Sequence, residues 1–470
     1  MKDREGLPGK NSAQLRAAII GCLLLGLFVV PIRQSAYSQP VIQKRDPDIE
    51  KMVREVSAAN IERTIRKLVS FRTRHSLSST RSDKEGIGAA RRWIKAQMEG
   101  YARASGGRLK VAFDPFIVKA NRRRIPRTVQ MKNVLATLPG TDTANPRILI
   151  VSGHYDSRNS EANDSTHFAP GANDDASGTA VTMELARIMS QRSYPATIIF
   201  ATVPGEEQGL YGSTHLAKRA KDEDWNIIGM ITNDIVGNSV SSGTGLKDNT
   251  HFRVFSEGVP ALQTERQARL LQAIGGENDS PAREFARYIK EVGERYVDQM
   301  SVVLIYRRDR FLRGGDHTPF SRLGFTAVRF SEINEDFTRQ HQNVRTENGI
   351  HYGDLPDNVD YPYTAKICRV NLAVLANLAL APDAPDSVGI VVRKLTNSTT
   401  LRWKTAPGIK PAGFYVLMRE TSAPLWQKKF YVGNVNEVTL PYSKDNYIFA
   451  VQSVDSAGHE SLPIFPLPVR

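Results

Sequence analysis

Between Arg147 and Ile235 the chain alternates short uncharged apolar runs with stretches of helical periodicity, and this alternation constrains the fold more than any other feature. Arg147-Ile-Leu-Ile-Val151, Ala196–Val203 and Ile227–Ile235 read as strands buried on both faces. Helices are expected between them, over about Ser177–Ser190 and Ser213–Ala220. The order predicts an α/β fold with a mostly parallel central sheet flanked by helices. In such sheets, side chains with chemical work to do gather at the carboxyl ends of the strands.

The flanking sequence extends this plan. Ile49, Met52, Val53, Val56, Ile61, Ile65 and Leu68 fall at helical spacing and predict a helix pair over residues 47–70. Another helix is expected from Gly86 to Tyr101, then a β-hairpin over 109–138 with Arg122 near its tip. Residues 239–300 read as a lid-like polar insertion, helical over Ala268–Val297. The sheet is expected to resume at Thr326–Phe330, and the helix Tyr363–Leu380 to close the domain. Ala381-Pro-Asp-Ala-Pro-Asp386 has the composition of a linker. Beyond it, 400–403, 413–418, 437–440 and 447–453 read as strands of a C-terminal all-β sandwich over 383–470. With Trp403 as core anchor and Tyr447 as corner tyrosine, this segment resembles a fibronectin type III module.

Composition narrows the function. The 470 residues are 40% hydrophobic and 24% charged, with 34 Gly and 25 Pro scattered, which excludes collagen-like, disordered and multi-span membrane classes. Lys2, Arg4, Lys10 and Arg16 precede an uncharged apolar run, Ala17–Val30, too short for a comfortable span and suited to a signal h-region. Ala36-Tyr37-Ser38 offers a cleavage site, so residues 1–38 read as a signal peptide and the protein as exported, periplasmic or extracellular. Loss of Cys22 with that segment leaves Cys368 alone, with no internal disulfide. The net charge of +14 concentrates in Arg122-Arg123-Arg124 with Arg127, and in Arg307-Arg308 with Arg310 and Arg313. Neither cluster sits in a nucleic-acid module, so no nucleic-acid partner is expected. The first reads as a solvated surface.

The strand ends carry a series of acidic and histidine residues: Gly153-His154-Tyr155-Asp156-Ser157, Gly171-Ala-Asn-Asp174-Asp175-Ala-Ser-Gly178, Pro204-Gly205-Glu206-Glu207, and Asn233-Asp234. Gly315-Asp316-His317-Thr-Pro-Phe320 and Gln340-His341-Gln342 follow later. Each motif alone is ordinary text, Asp-Asp before a helix being most often an N-cap. Together they have the composition of a two-zinc site, in which nitrogen and carboxylate ligands hold ions about 3.5–4 Å apart with one carboxylate shared. His154 with Asp234 suits one ion, Glu207 with His341 the other, and Asp174 the bridge. Glu206, beside a ligand but free itself, suits a general base that takes a proton from the water between the ions. Asp156, two residues after His154, suits the orientation of its imidazole. His351, ten residues beyond His341, is a rival ligand.

These segments resemble the co-catalytic zinc exopeptidases, the family of secreted bacterial leucyl aminopeptidases, glutamate carboxypeptidases and glutaminyl cyclases, over about residues 50–382. The resemblance implies two Zn2+ ions held by His154, Asp174, Glu207, Asp234 and His341, with Glu206 as general base and a peptide as substrate. It implies an exopeptidase, an aminopeptidase first, with a carboxypeptidase on the same zinc cage or a cyclase-like acyltransferase as alternatives. A binding protein built on an inert peptidase fold is the remaining reading, and the full ligand set argues against it. Gln340 stands where the family often has a tyrosine as oxyanion donor, which leaves Arg310, Arg313 or Tyr306 as candidates, with His317 as a pocket residue. The C-terminal module is a candidate for cell-surface or glycan contact.

Overall fold

The computed structural model describes residues 44–470 except Arg122 and Lys394. The basic leader, the apolar run, Cys22 and the cleavage site therefore lie outside the described residues. Among those described, no helix is long and apolar enough to cross a membrane.

Eight strands build the central sheet: β1 (Lys110–Val118), β2 (Val129–Leu138), β3 (Ile148–His154), β4 (Thr197–Val203), β5 (Ile227–Asn233), β6 (His251–Ser256), β7 (Ser301–Ile305) and β8 (Ala327–Glu332). Their order is β1-β2-β4-β3-β5-β8-β6-β7. The run β4-β3-β5-β8 is parallel throughout, as is β6-β7, while the β1-β2 hairpin and β6 join antiparallel. The chain thus steps from β3 to β4 on one side and crosses back to β5 on the other. That reversal sets the carboxyl ends of β4, β3 and β5 side by side, the arrangement that opens a crevice in an α/β sheet.

Burial follows the apolar pattern. Ile150, Val151, Phe200 and Ile231 are fully enclosed, and the helix Ala176–Met189 packs across β3 and β5. The approach is close enough to need glycine on both sides. A Cβ on Gly153 would meet Gly178 C at 2.3 Å, and one on Gly178 would meet Asn233 O at 2.1 Å. The helices Pro47–Arg54, Ala58–Val69 and Tyr361–Leu380 complete that layer.

Two expectations need correction. Residues 239–300 are not a lid-like insertion: β6 pairs with β7 and β8 inside the main sheet, and Phe252 and Phe285 are core residues. The segment Ala381–Asp386 is no free linker either. Ala381 is fully buried, and Asp383 Oδ1 lies 3.0 Å from Arg147 Nε while its carbonyl accepts from Ser453 Oγ.

The C-terminal stretch forms two further sheets. Thr399–Lys404 lies between Asp386–Val391 and Glu437–Leu440 in one, and Gly413–Glu420 between Lys428–Gly433 and Tyr447–Val454 in the other. Trp403 is buried edge-on against Phe414 in their shared core. These sheets belong to the same compact unit as the central sheet. The helix Pro281–Tyr296 binds them through Arg295–Glu460 (2.9 Å) and Glu291–Lys429 (2.8 Å), and Asp279 just ahead of it binds Arg419 (2.8 Å).

Candidate metal centre

Each element at the crevice delivers one side chain for a local reason. His154 is the last residue of β3. Glu206 and Glu207 open a short helix after β4, where Gly205 takes a left-handed φ of 77° to make the turn. Asp234 directly follows β5. Asp174 and Asp175, joined by a cis peptide, precede the helix Ala176–Met189, and Asp175 caps it by accepting from Gly178 N. Asp175 also accepts from His154 N (2.9 Å) and Ile235 N (3.3 Å), so the capping residue stitches β3 and β5 to the helix. His341 arrives from a turn, at φ 57°.

These side chains meet in two overlapping groups, His154–Asp174–Asp234 and Asp174–Glu207–His341, with ligand atoms within 4.8 Å of one another in each. Asp174 offers one oxygen to each group: Oδ1 lies 3.2 Å from His154 Nε2 and Oδ2 lies 2.9 Å from His341 Nε2. Glu207 Oε1 is 3.0 Å from His341 Nε2, and Asp234 Oδ1 is 3.9 Å from His154 Nε2. His341 is a quarter exposed while the other four are buried, so the crevice opens on its side.

The donor set fits zinc. His154 Nε2 and Glu207 Oε1 are buried without a hydrogen-bond partner, which leaves donors free for an ion. The electrostatics agree. Burial works against protonating His341, yet Glu207 and Asp174 hold it up at about 10. Burial likewise opposes charge on Asp174, and His341 and His154 nonetheless hold its carboxyl well below the usual range. A cluster that draws positive charge this strongly into a buried place is built for cations.

Asp156 is fully buried, with Oδ1 3.4 Å from His154 Nδ1, and it also accepts from Glu206 N (3.3 Å) and Glu207 N (3.2 Å). One carboxylate therefore fixes both the imidazole and the Glu-Glu turn. Glu206 belongs to neither donor group. Burial raises its carboxyl well above the ordinary value; His154 opposes this, and the charges of Asp234, Glu207 and Asp316 add to it. His351 is exposed on the hairpin Arg345–Glu347/Ile350–Tyr352, bonded to Thr346 Oγ1, and lies outside both groups.

Among the candidate substrate residues, Tyr306, Arg310 and Arg313 are exposed or engaged elsewhere. Tyr306 gives its hydroxyl to Pro424 O (2.7 Å) and packs under Arg283, so it serves the contact with the C-terminal sheets. Arg313 is exposed, and Arg310 pairs with Glu335 (3.0 Å). His317 is buried with Nε2 on Arg308 O (2.7 Å), while its Nδ1, toward Gly315 and Asp234, has no hydrogen-bond partner. The basic hairpin tip is tied to the centre instead of merely solvated: Arg124 donates to Glu207 O (2.5 Å) and Arg127 to Leu77 O (2.6 Å).

Several further residues support the centre. Arg329 on β8 is fully buried, 3.0 Å from Asp234 Oδ1 and within 3.0 Å of both Asp309 oxygens. Asp354 accepts from Asn173 N and Asp174 N, and Gln340 Nε2 donates to Asp174 Oδ2 (2.9 Å). Arg74 closes the loop beneath with bonds to the carbonyls of Tyr155, Pro170 and Gly171.

A parallel sheet with this crevice and a paired acid–histidine cage defines a metallohydrolase class of site, and comparison with known proteins specifies it. Residues 133–376 match Peptidase family M28. A "Probable zinc metalloprotease" of Leptosphaeria maculans is 49% identical over 423 residues, covering 90% of this chain and 97% of that protein. One from Pyricularia oryzae is 46% identical over 432 residues, covering 91% and 86%. Among solved structures, the Legionella pneumophila LapA aminopeptidase superposes with a TM-score of 0.51 at 18% identity, over 74% of this chain and 77% of that one. A Macrostomum lignano glutaminyl cyclase gives 0.50 at 16%, over 74% and 97%. At such identities the structural likeness is one of fold. The chain belongs to peptidase family M28, and it is a zinc metallopeptidase.

Proposed function

We propose that the protein is a two-zinc aminopeptidase, with one ion held by His154, Asp174 and Asp234 and the other by Asp174, Glu207 and His341. The observation that carries this reading is Asp174, whose two oxygens face the two histidines separately. Zinc bound there supplies Lewis acidity toward the scissile carbonyl and the attacking water. Glu206 accepts the proton that this water loses as its oxygen bonds to the carbonyl carbon. It then delivers that proton to the leaving amine as the C–N bond breaks. Its backbone N–H on Asp156 holds it in register with His154. Asp156, Asp175, Glu206 and Asp316 add carboxyl acceptors beyond the ligands, and this acidic surround suits the protonated α-amine of a peptide better than its α-carboxylate.

The test is mass spectrometry of a zinc-loaded digestion of a leucine-led peptide, its N-acetyl form and its C-amide form. The proposal expects shortening from the amino end, abolished by acetylation. Shortening from the carboxyl end, abolished by the amide, contradicts it in favour of a carboxypeptidase. Export is proposed with it, on the basic leader and apolar run of residues 1–38. A mature amino terminus at Gln39 in culture medium or periplasm supports export, and an intact leader on cytosolic protein opposes it.

A further inference from the structure

Two arginines flank the metal centre, and they are placed on different terms. Arg329, on the Asp234 side, is fully buried and bound to Asp234 and both Asp309 oxygens. Arg158 stands on the Glu207 side, where the crevice opens beside His341, with Nε 3.8 Å from Glu207 Oε2. That separation is too long for a hydrogen bond. Among the described residues the Arg158 guanidinium has no hydrogen-bond partner: Nε is buried without one, and the side chain keeps 15% exposure. A cation that has lost most of its water and gained no acceptor is suited to take one from outside the chain.

The position of Arg158 is fixed from both sides. Ser157 Oγ donates to Ala169 O (2.8 Å) and accepts from Arg74 N, and buried Asn159 donates to Asp164 Oδ2 (2.7 Å). Ser160 N donates to Asn343 Oδ1 (3.3 Å) and Asn343 N to Ser160 Oγ (3.0 Å), which ties this loop to the turn that carries His341. The stem of Arg158 is therefore ordered before a substrate arrives. Polarity runs across the centre as well. The carboxyls of Asp175 and Asp316 stand with Asp234, whereas Arg158 stands with Glu207, and Arg124 donates to Glu207 O.

Resting on the aminopeptidase reading, we propose that Arg158 binds a carboxylate on the residue that follows the scissile bond, with the substrate amine toward Asp234. Two sources carry that group there: the free end of a dipeptide, or an acidic side chain in a longer peptide. The test is kcat/KM of the zinc-loaded protein for Leu-Asn-amide, Leu-Asp-amide and Leu-Asn with a free carboxylate, followed as leucine release. The parent is expected to favour one of the two carboxylate substrates over Leu-Asn-amide by about tenfold or more, and the one favoured identifies the source. That preference should fall to within about twofold in Arg158→Gln and return in part in Arg158→Lys, which restores the charge without the planar fork. A ratio between substrates cancels any general loss caused by nearness to Glu207. Calorimetric binding of the same three compounds to Glu206→Gln should follow the same order. A parent that treats all three alike, a preference that survives Arg158→Gln, or a flat order in the binding measurement overturns the proposal. No leucine release from any of the three overturns the aminopeptidase reading, and this subsite with it.

Discussion

The molecule buries two clusters of charge, and they are built on opposite terms. Where the helix Pro281–Tyr296 meets the C-terminal sheets, Asp279, Glu284, Glu291 and Glu460 face Arg287, Arg295, Arg419 and Lys429, each acid with a cation in contact. At the crevice of β3, β4 and β5, Asp156, Asp174, Asp175, Glu206, Glu207, Asp234 and Asp316 face two histidines. Arg329 touches only Asp234 among these acids, and Arg158 stands 3.8 Å from Glu207. The titration behaviour follows in part, since burial lifts Glu284 to about 8 even beside Arg287, with Asp279 adding to it. Burial would raise Glu460, but Lys429 and Arg295 hold it down at about 2, whereas burial lifts Asp316 to about 7 and Glu206 well above its ordinary value. A balanced buried network holds parts together, while an unbalanced one marks a place where cations belong.

The contrast can be broken by neutralising single members on each side. The largest effect is expected from Glu206→Gln, a fall in kcat of about 10^2 to 10^4 with zinc content unchanged by elemental analysis. Loss of zinc in this variant would make Glu206 a ligand. In the balanced cluster, Glu460→Gln leaves Arg295 and Lys429 facing no partner at that position and is expected to cost about 3–5 kcal/mol of stability. Denaturant melts measure this, and kcat/KM should stay within roughly twofold well below the transition. Equal losses of activity and stability would show that the two clusters are not separable.

Asp309→Asn sharpens the comparison at the metal centre itself. It removes the charge that offsets Arg329, so the guanidinium bears fully on Asp234. Competition with a chromophoric chelator should show one zinc weakened by about 10–100-fold and the other little changed. The smallest effect is in pH. Glu460 has a depressed folded pKa of about 2 against roughly 4.3 unfolded, so its contribution is fully present above about 4.3 and is lost as pH falls toward 2. The thermal midpoint of the parent should therefore drop more steeply than that of Glu460→Gln between those limits.

Much of the centre was legible because its residues follow strands whose apolar runs are unmistakable. His154 is the last residue of its strand, and Glu206, Glu207 and Asp234 sit one to four residues beyond theirs, so finding the strand finds the residue. Arg329, Asp309 and Asp354 were not legible: they reach the centre from β8 and from loops far along the chain, and no local pattern distinguishes them from surface charge. The strand His251–Ser256 was hidden for a related reason. His251 and Arg253 interrupt its apolar text, yet Arg253 is spent on Glu335 and the Glu332 carbonyl within the fold. Tyr306 shows the converse error, since nearness in sequence to Gly315-Asp316-His317 says nothing about which way a side chain leaves the sheet.

Anomalous diffraction at the zinc edge from crystals of the loaded protein tests the central claim most directly. The account predicts two peaks sharing Asp174, one against His154 and Asp234 and the other against Glu207 and His341. A single peak, or peaks on residues outside these two groups, would contradict it.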